Sequence, residues 1–320
     1  RLESVYTICV MKTWILLTII GSSALAVGAS GGVIYKRLIA EPTKEVDGFD
    51  ADYCKVDGDA LIKKVDDFGS PSKAVDSLKP HEIVNYACEM YKRAENSYSY
   101  GVGRALASVV DQKIHNLQVK NGSTYFEESV ASSDMVGVAA RFFQKENEDK
   151  VEKYKIKNKG DEVLFGGPSN FVTSPDSFTV EQFTEWYGRD LKAMFNHIIH
   201  ELTVKEETIN KIDTGYQIEL ELDPDTAPYT YKTQVMNISG NDMPMLKSPP
   251  TFKSIHLTFM LDDNLMLKEN KVDEVYNSVA NAFPMPIETH NTIKYTFHYN
   301  EFYKIPELNE YYEFPPFEEA

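Results

Sequence analysis

Apolar and polar residues alternate one by one along three stretches of the C-terminal half. In residues 216–222, Tyr216, Ile218, Leu220 and Leu222 are separated by Gln217, Glu219 and Glu221. In residues 255–261, Ile255, Leu257, Phe259 and Leu261 flank His256, Thr258 and Met260, and in residues 293–299, Ile293, Tyr295, Phe297 and Tyr299 flank Lys294, Thr296 and His298. A period of two marks a strand with one dry and one wet face. Asp262-Asp263-Asn264 turns the chain towards Leu265 and Leu267, and residues 272–279 continue as strand, so these stretches are neighbours in an antiparallel meander. An earlier strand group is expected across residues 98–121, 123–130, 136–144 and 151–157. Within it Gly101 and Gly103 permit a curved sheet, and Asn121-Gly122 signals a hairpin turn.

Helices are expected where the period lengthens. Residues 59–67 place Leu61, Ile62 and Val65 on one side. From Pro80, a residue suited to a first helical turn, Ile83, Val84, Ala87, Met90, Tyr91 and Ala94 keep a spacing of three and four. Thr179 with Gln182 forms a capping pattern ahead of an aromatic face of Phe183, Trp186, Tyr187, Leu191, Met194, Phe195 and Ile198. Asp223-Pro224 opens a further helix or helical turn reaching Met236. Met243-Pro244-Met245-Leu246 followed by Pro249-Pro250 is too broken by proline to pack as an element and reads as a lid or a loop.

Residues 14–35, from Trp14 to Tyr35, are apolar without a charge and are followed at once by Lys36 and Arg37. As a helix, this run of about 22 residues spans roughly 33 Å, enough for a bilayer core of about 30 Å. Two readings fit. One is an uncleaved anchor, favoured by length; the other is a secretory peptide cut after Ala24-Leu25-Ala26 or Val27-Gly28-Ala29. The membrane is therefore an expected partner through Trp14 and its run. The main domain is placed outside the cytoplasm, or secreted if the leader is removed. The division that follows is a leader at 1–13, the span or signal at 14–35 and a tether at 36–58. A helical lead-in occupies 59–97, the sheet domain 98–305 and an acidic tail 306–320.

Net charge is −16, with 42% hydrophobic and 12% aromatic residues. That supplies a core and repels phosphate backbones, so no nucleic acid is expected as a partner. Cys9, Cys54 and Cys88 show neither metal nor redox spacing. A disulfide between Cys54 and Cys88 and two separate thiols both remain open.

Catalytic signatures are absent: no GxSxG, P-loop or dinucleotide fingerprint occurs in its proper context, and neither catalytic residues nor a cofactor is assigned. His197, His200 and Glu201 share a helical face if the helix extends that far, but no third-ligand context makes them a metal site. His256 and His298 fall on the polar side of their strands. Asn121-Gly122-Ser123 and Asn237-Ile238-Ser239 match the glycosylation acceptor pattern of a secretory route. The better candidates are apolar. Phe183, Trp186, Tyr187, Met194, Phe195, Met236 and Met260, with Met243 and Met245, are residue types that line a cavity between sheet and helices, methionine adapting to flexible ligands. A filled core uses the same residues.

The order of elements, together with the alternating stretches at 216–222, 255–261 and 293–299, resembles the LolA-like superfamily of lipoprotein-localisation half-barrels. That resemblance implies an α+β fold: a strongly bent antiparallel β-sheet of about ten strands wrapping helices, preceded here by one N-terminal transmembrane helix. It also implies carriage of a lipid or other apolar ligand, or a role as an envelope sensor. The chain departs from the pattern in lacking a lipobox and in adding two leading helices. The expected function is a membrane-anchored extracytoplasmic binding or envelope protein. The alternative is a structural or interaction domain with a solid core that contacts other envelope proteins.

Overall fold

Asn121-Gly122 turns the chain as its sequence demands. Gly122 adopts φ +55°, in the left-handed region that glycine enters without penalty. The turn joins β2 (Val110–Asn121) to the strand that follows it, with Asn121 opposite Thr124, while β1 (Asn96–Ala107) pairs antiparallel along the other side of β2, from Asn96 opposite Asn121 to Ala107 opposite Val110. The computed structural model describes residues 56–107, 110–133, 136–156, 176–187, 191–192, 197–226, 246–280 and 283–305.

From β2 the chain meanders outward through β3 (Thr124–Ser133), β4 (Val136–Lys145), β5 (Val151–Ile156) and the short β6 (Asp176–Phe178). It then reappears at the opposite edge. There β7 (Val204–Ile212), β8 (Gly215–Leu222), β9 (Leu246–Leu261), β10 (Leu267–Ala280) and β11 (Phe283–Tyr299) meander back inward until β11 pairs with β1. The result is one antiparallel sheet of 11 strands, ordered β6-β5-β4-β3-β2-β1-β11-β10-β9-β8-β7. Two wings meet at the β1–β11 seam. Gly101 and Gly103 lie at that seam because a side chain there would collide: a Cβ on Gly103 would meet the Thr292 carbonyl and Ile293, and one on Gly101 would enter the Tyr295 ring. Gly103→Val will therefore cost about 1–3 kcal/mol of stability by overpacking, read as a lower urea midpoint.

Four helices occur among the described residues: α1 (Gly58–Asp67), α2 (Pro71–Val75), α3 (Pro80–Arg93) and α4 (Val180–Tyr187). Asp57 caps α1 by accepting from the Ala60 N–H at 3.1 Å. Thr179 and Gln182 cap α4 reciprocally, at 3.1 and 2.9 Å. All four lie on one side of the sheet, its inner face. The main core joins Leu61, Ile83, Val84, Ala87 and Tyr91 of α1 and α3 to Ile218, Leu220, Ile255, Leu257, Phe259, Tyr276 and Phe297 of the β7–β11 wing. A second cluster on the other wing joins Phe142, Val151 and Phe178 to Phe183 and Leu191.

This is a mostly β protein, not the α+β half-barrel of about ten strands wrapping helices. The sheet is not closed: among the described residues β6 and β7, at its edges, pair with no strand on their outer sides. Among the described residues the helices are few and short, and they cover one face. Periodicity exposes strands but carries no information on whether the outermost two meet. The expected long aromatic helix is described only as Val180–Tyr187, and residues 197–203 form bends and turns. β7 escaped the pattern because it is an edge strand with no fully buried position. Pro249-Pro250 does not end an element. β9 passes through both prolines where its pairing with β10 is irregular, Thr251 facing Asn277 and Ser248 facing Val279. β8 reaches only as far as His256, so among the described residues no neighbour needs the missing N–H groups on that side.

The apolar run at residues 14–35 expected to span a membrane, Cys9, Cys54, Asn237 and the tail at 306–320 lie outside the described residues. Among the described residues no helix is long and apolar enough to cross a membrane, a statement that leaves strands aside.

Candidate functional site

On the sheet face opposite the helices, the register aligns two rows across five strands. One row runs Tyr98, Val119, Phe126, Phe143 and Glu152; the next runs Tyr100, Leu117, Glu128, Arg141 and Tyr154. Alternation puts these side chains on one surface, and its apolar members gather into a cluster of Leu117, Val119 and Phe126 packed by Tyr98, Tyr100, Phe143, Tyr303 and Ile305.

The segment after β11 folds back over this surface as a strap. Asn300 donates its N–H to the Asn96 carbonyl at 2.9 Å, and the Asn121 side-chain amide donates to the Tyr303 carbonyl at 2.7 Å. Tyr98 donates its hydroxyl to Glu301 at 2.9 Å and stacks on His298, with centroids 4.3 Å apart and an interplanar angle of 7°. Tyr303 packs against both Tyr98 and Tyr100. The Asn121 acceptor pattern thus serves as a clip for the strap.

Between strap and strands lies a groove of about 590 Å³, floored by Phe126, Phe143, Arg141 and Tyr154 and walled by Phe302, Lys304 and Ile305. Phe302 is 74% exposed, an apolar ring at the mouth without cover. The ionisable groups here are restrained. Arg141 and Glu128, facing each other across β3 and β4, form an ion pair with both side chains buried. The Arg141 guanidinium also lies 5.8 Å from the centroid of the Phe126 ring. Glu152 accepts from Lys150 at 2.7 Å and from Tyr154 at 2.6 Å, and these bonds, Lys150 first, hold its carboxyl below the usual range. Burial, then the bond to Glu152, pushes the Tyr154 phenol up to about 12, and burial does the same for Tyr98. At neutral pH the phenols are therefore protonated and the acids paired. The groove thus offers aromatic walls with its paired polar groups at one side.

Of the residues expected from sequence to line a cavity, the side chains of Phe183 and Met260 are described, and they lie on opposite faces of the sheet. Phe183 is buried on the inner face, its ring edge-on to Phe142 with centroids 5.4 Å apart. Met260 sits on the face of β9 opposite Phe259, partly exposed. Trp186 and Tyr187 belong to α4, while Met194, Phe195, Met236, Met243 and Met245 lie outside the described residues. Phe126, Arg141, Phe143 and Tyr154 fall within strands expected from the sequence, but nothing in the sequence placed the strap upon them.

His197, His200 and Glu201 share no helix. His197 pairs with Glu274 at 2.6 Å inside the protein, His200 takes part in a turn through a bond from the Leu202 N–H, and Glu201 pairs with Lys79 at the surface. No group of metal ligands is found among the described residues. His256 is exposed and His298 partly so. Cys88 is a free buried thiol that desolvation pushes up to about 12.

No family model matches the chain, and no curated protein matches it. Among solved structures, it is similar to a DUF1329 family protein from Desulfovibrio piger, at 11% identity over 72% of this chain and 94% of that one, with a TM-score of 0.21. A second, the complex of MucB with MucA(peri), shows 7% identity over 68% and 93% of the two chains, with a TM-score of 0.11. At such TM-scores neither overlay fixes a common architecture.

Proposed function

We propose that the protein is a binding protein for an apolar or amphipathic small molecule, held beneath the strap on the outer sheet face, with the domain anchored through residues 14–35 at the extracytoplasmic side of a membrane. The groove carries this reading: about 590 Å³ of space falls inside the usual ligand-pocket range of about 300–1,000 Å³. Its walls combine aromatic rings with a few already-paired polar groups. Such a site favours a ligand with an apolar body and an uncharged or weakly polar end, because a strong extra charge would have to displace Glu128 from Arg141 or Lys150 from Glu152.

The test has two arms. Full-length protein purified without denaturation is extracted and the extract analysed by mass spectrometry, alongside Phe143→Asp. The same two proteins are titrated with a fluorescent apolar probe. Burial of one phenyl ring contributes about 1.5–3 kcal/mol, so the aspartate will weaken probe binding by more than about tenfold. Equal probe affinity in the two proteins, with nothing extracted above the variant, would replace this reading with that of an interaction domain whose core is filled.

A further inference from the structure

Across the seam, on the inner face, the register aligns Gln112 of β2, Ala105 of β1, Asn291 of β11 and Glu274 of β10. The next row holds Ala107, Thr289 and Tyr276. Ala105, Ala107 and Thr289 are 0% exposed, Gln112 is 1% and Asn291 and Glu274 are 3%. This is a buried polar strip beside an apolar cluster of Ala105, Ile114, Ala131 and Ile293. Part of it is satisfied: the Asn291 amide donates to Glu274 at 3.0 Å, and the other Glu274 oxygen meets His197 at 2.6 Å. The rest is not. Among the described residues neither the oxygen nor the nitrogen of the Gln112 side chain has a hydrogen-bond partner, and nor does Oδ1 of Asn291.

Three buried polar atoms left in this state carry a large penalty, and native interiors remove it with an ordered water or a polar ligand. Gln112 and Asn291 flank Ala105, two strand spacings or about 10 Å apart, and between them Ala105 contributes only a methyl group. We propose that the space above Ala105 is a closed binding site for a neutral hydroxyl-bearing group, either water or the hydroxyl of a small uncharged molecule. The hydroxyl accepts from Gln112 Nε2 and donates to Asn291 Oδ1 or Gln112 Oε1, the three functions left unmet. An anion is disfavoured by the neighbouring Glu274 carboxylate, and any ion by burial without a counter-charge. The site lies on the opposite sheet face from the groove and does not depend on that groove holding a ligand.

Gln112→Leu in the full-length chain decides the matter by sign. If the site is filled, leucine deprives the occupant of its partners and the thermal midpoint falls by about 2–6 °C. If the site is empty, leucine removes two unmet polar atoms and the midpoint rises, which overturns the proposal. Native mass spectrometry separates the sources: a bound mass that is lost in Gln112→Leu identifies a small molecule, whereas the bare chain mass together with a lowered midpoint identifies water. Should the variant fail to fold, a wild-type crystal structure that resolves waters decides instead. Density above Ala105 within hydrogen-bond distance of Gln112 supports the site, and close-packed side chains without such density refute it.

Discussion

Arg141→Met will lower the free energy of unfolding by about 3–5 kcal/mol, measured by urea denaturation, because it strands the Glu128 carboxylate in the protein interior. The two side chains are 3% and 2% exposed and face each other across β3 and β4. A surface ion pair is worth at most about 1 kcal/mol, since water solvates either partner when the other is removed. Here water does not reach the survivor. The double variant Glu128→Leu/Arg141→Met removes both charges, and it will recover most of the loss, as paired burial often gains little over an apolar pair of similar volume. A single variant no worse than the double would mean that Glu128 is solvated, and the floor of the groove would then be open beneath Phe126.

The second large effect separates the two faces of one strand. Phe259 and Met260 are sequence neighbours on β9, yet Phe259 is 0% exposed in the main core, opposite Ile218 and Asn270, while Met260 lies on the other face, opposite Gln217 and Glu269. Phe259→Ala will cost about 3–5 kcal/mol, the transfer term plus the cavity left between α3 and the sheet. Met260→Ala will stay within about 1 kcal/mol. Comparable losses for the two would mean that the register of β9 is shifted by one residue, since such a slip exchanges every inward side chain for an outward one. It would also remove the reason for assigning Met260 to a different surface from Phe183.

Much of this architecture could be read along the chain, and the reason is local. The alternation at 216–222, 255–261 and 293–299 survives folding unchanged, because each of these segments lies inside the sheet with one face on the helices. Asn121-Gly122 turned as expected because a two-residue hairpin needs positive φ, which glycine supplies. Legibility failed where a segment's state depends on a distant neighbour. β7 is a strand because β8 offers it a ladder, although its own residues are largely exposed. Pro249 and Pro250 fit within β9 because that stretch has a partner on one side only. His197 reads as a polar helix residue until the fold brings Glu274, 77 positions away, to within 2.6 Å.

The candidate site shows the same division. Phe126, Phe143, Arg141 and Tyr154 were legible as strand residues, and Phe302 and Ile305 as residues trailing the last strand. Their meeting depends on β11 ending beside β1, so that Asn121 can hold Tyr303 and lay the strap across a surface formed some 160–180 residues earlier. By itself the sequence determined the period of the strands, the chemistry of the turns, the acidic surface and the uncharged run at residues 14–35. The tertiary structure alone decided the order of strands, the open edges, which face the helices cover and where the groove lies. Periodicity is written in bonds between near neighbours, whereas a groove exists only once segments remote in sequence have shared the cost of burying one surface.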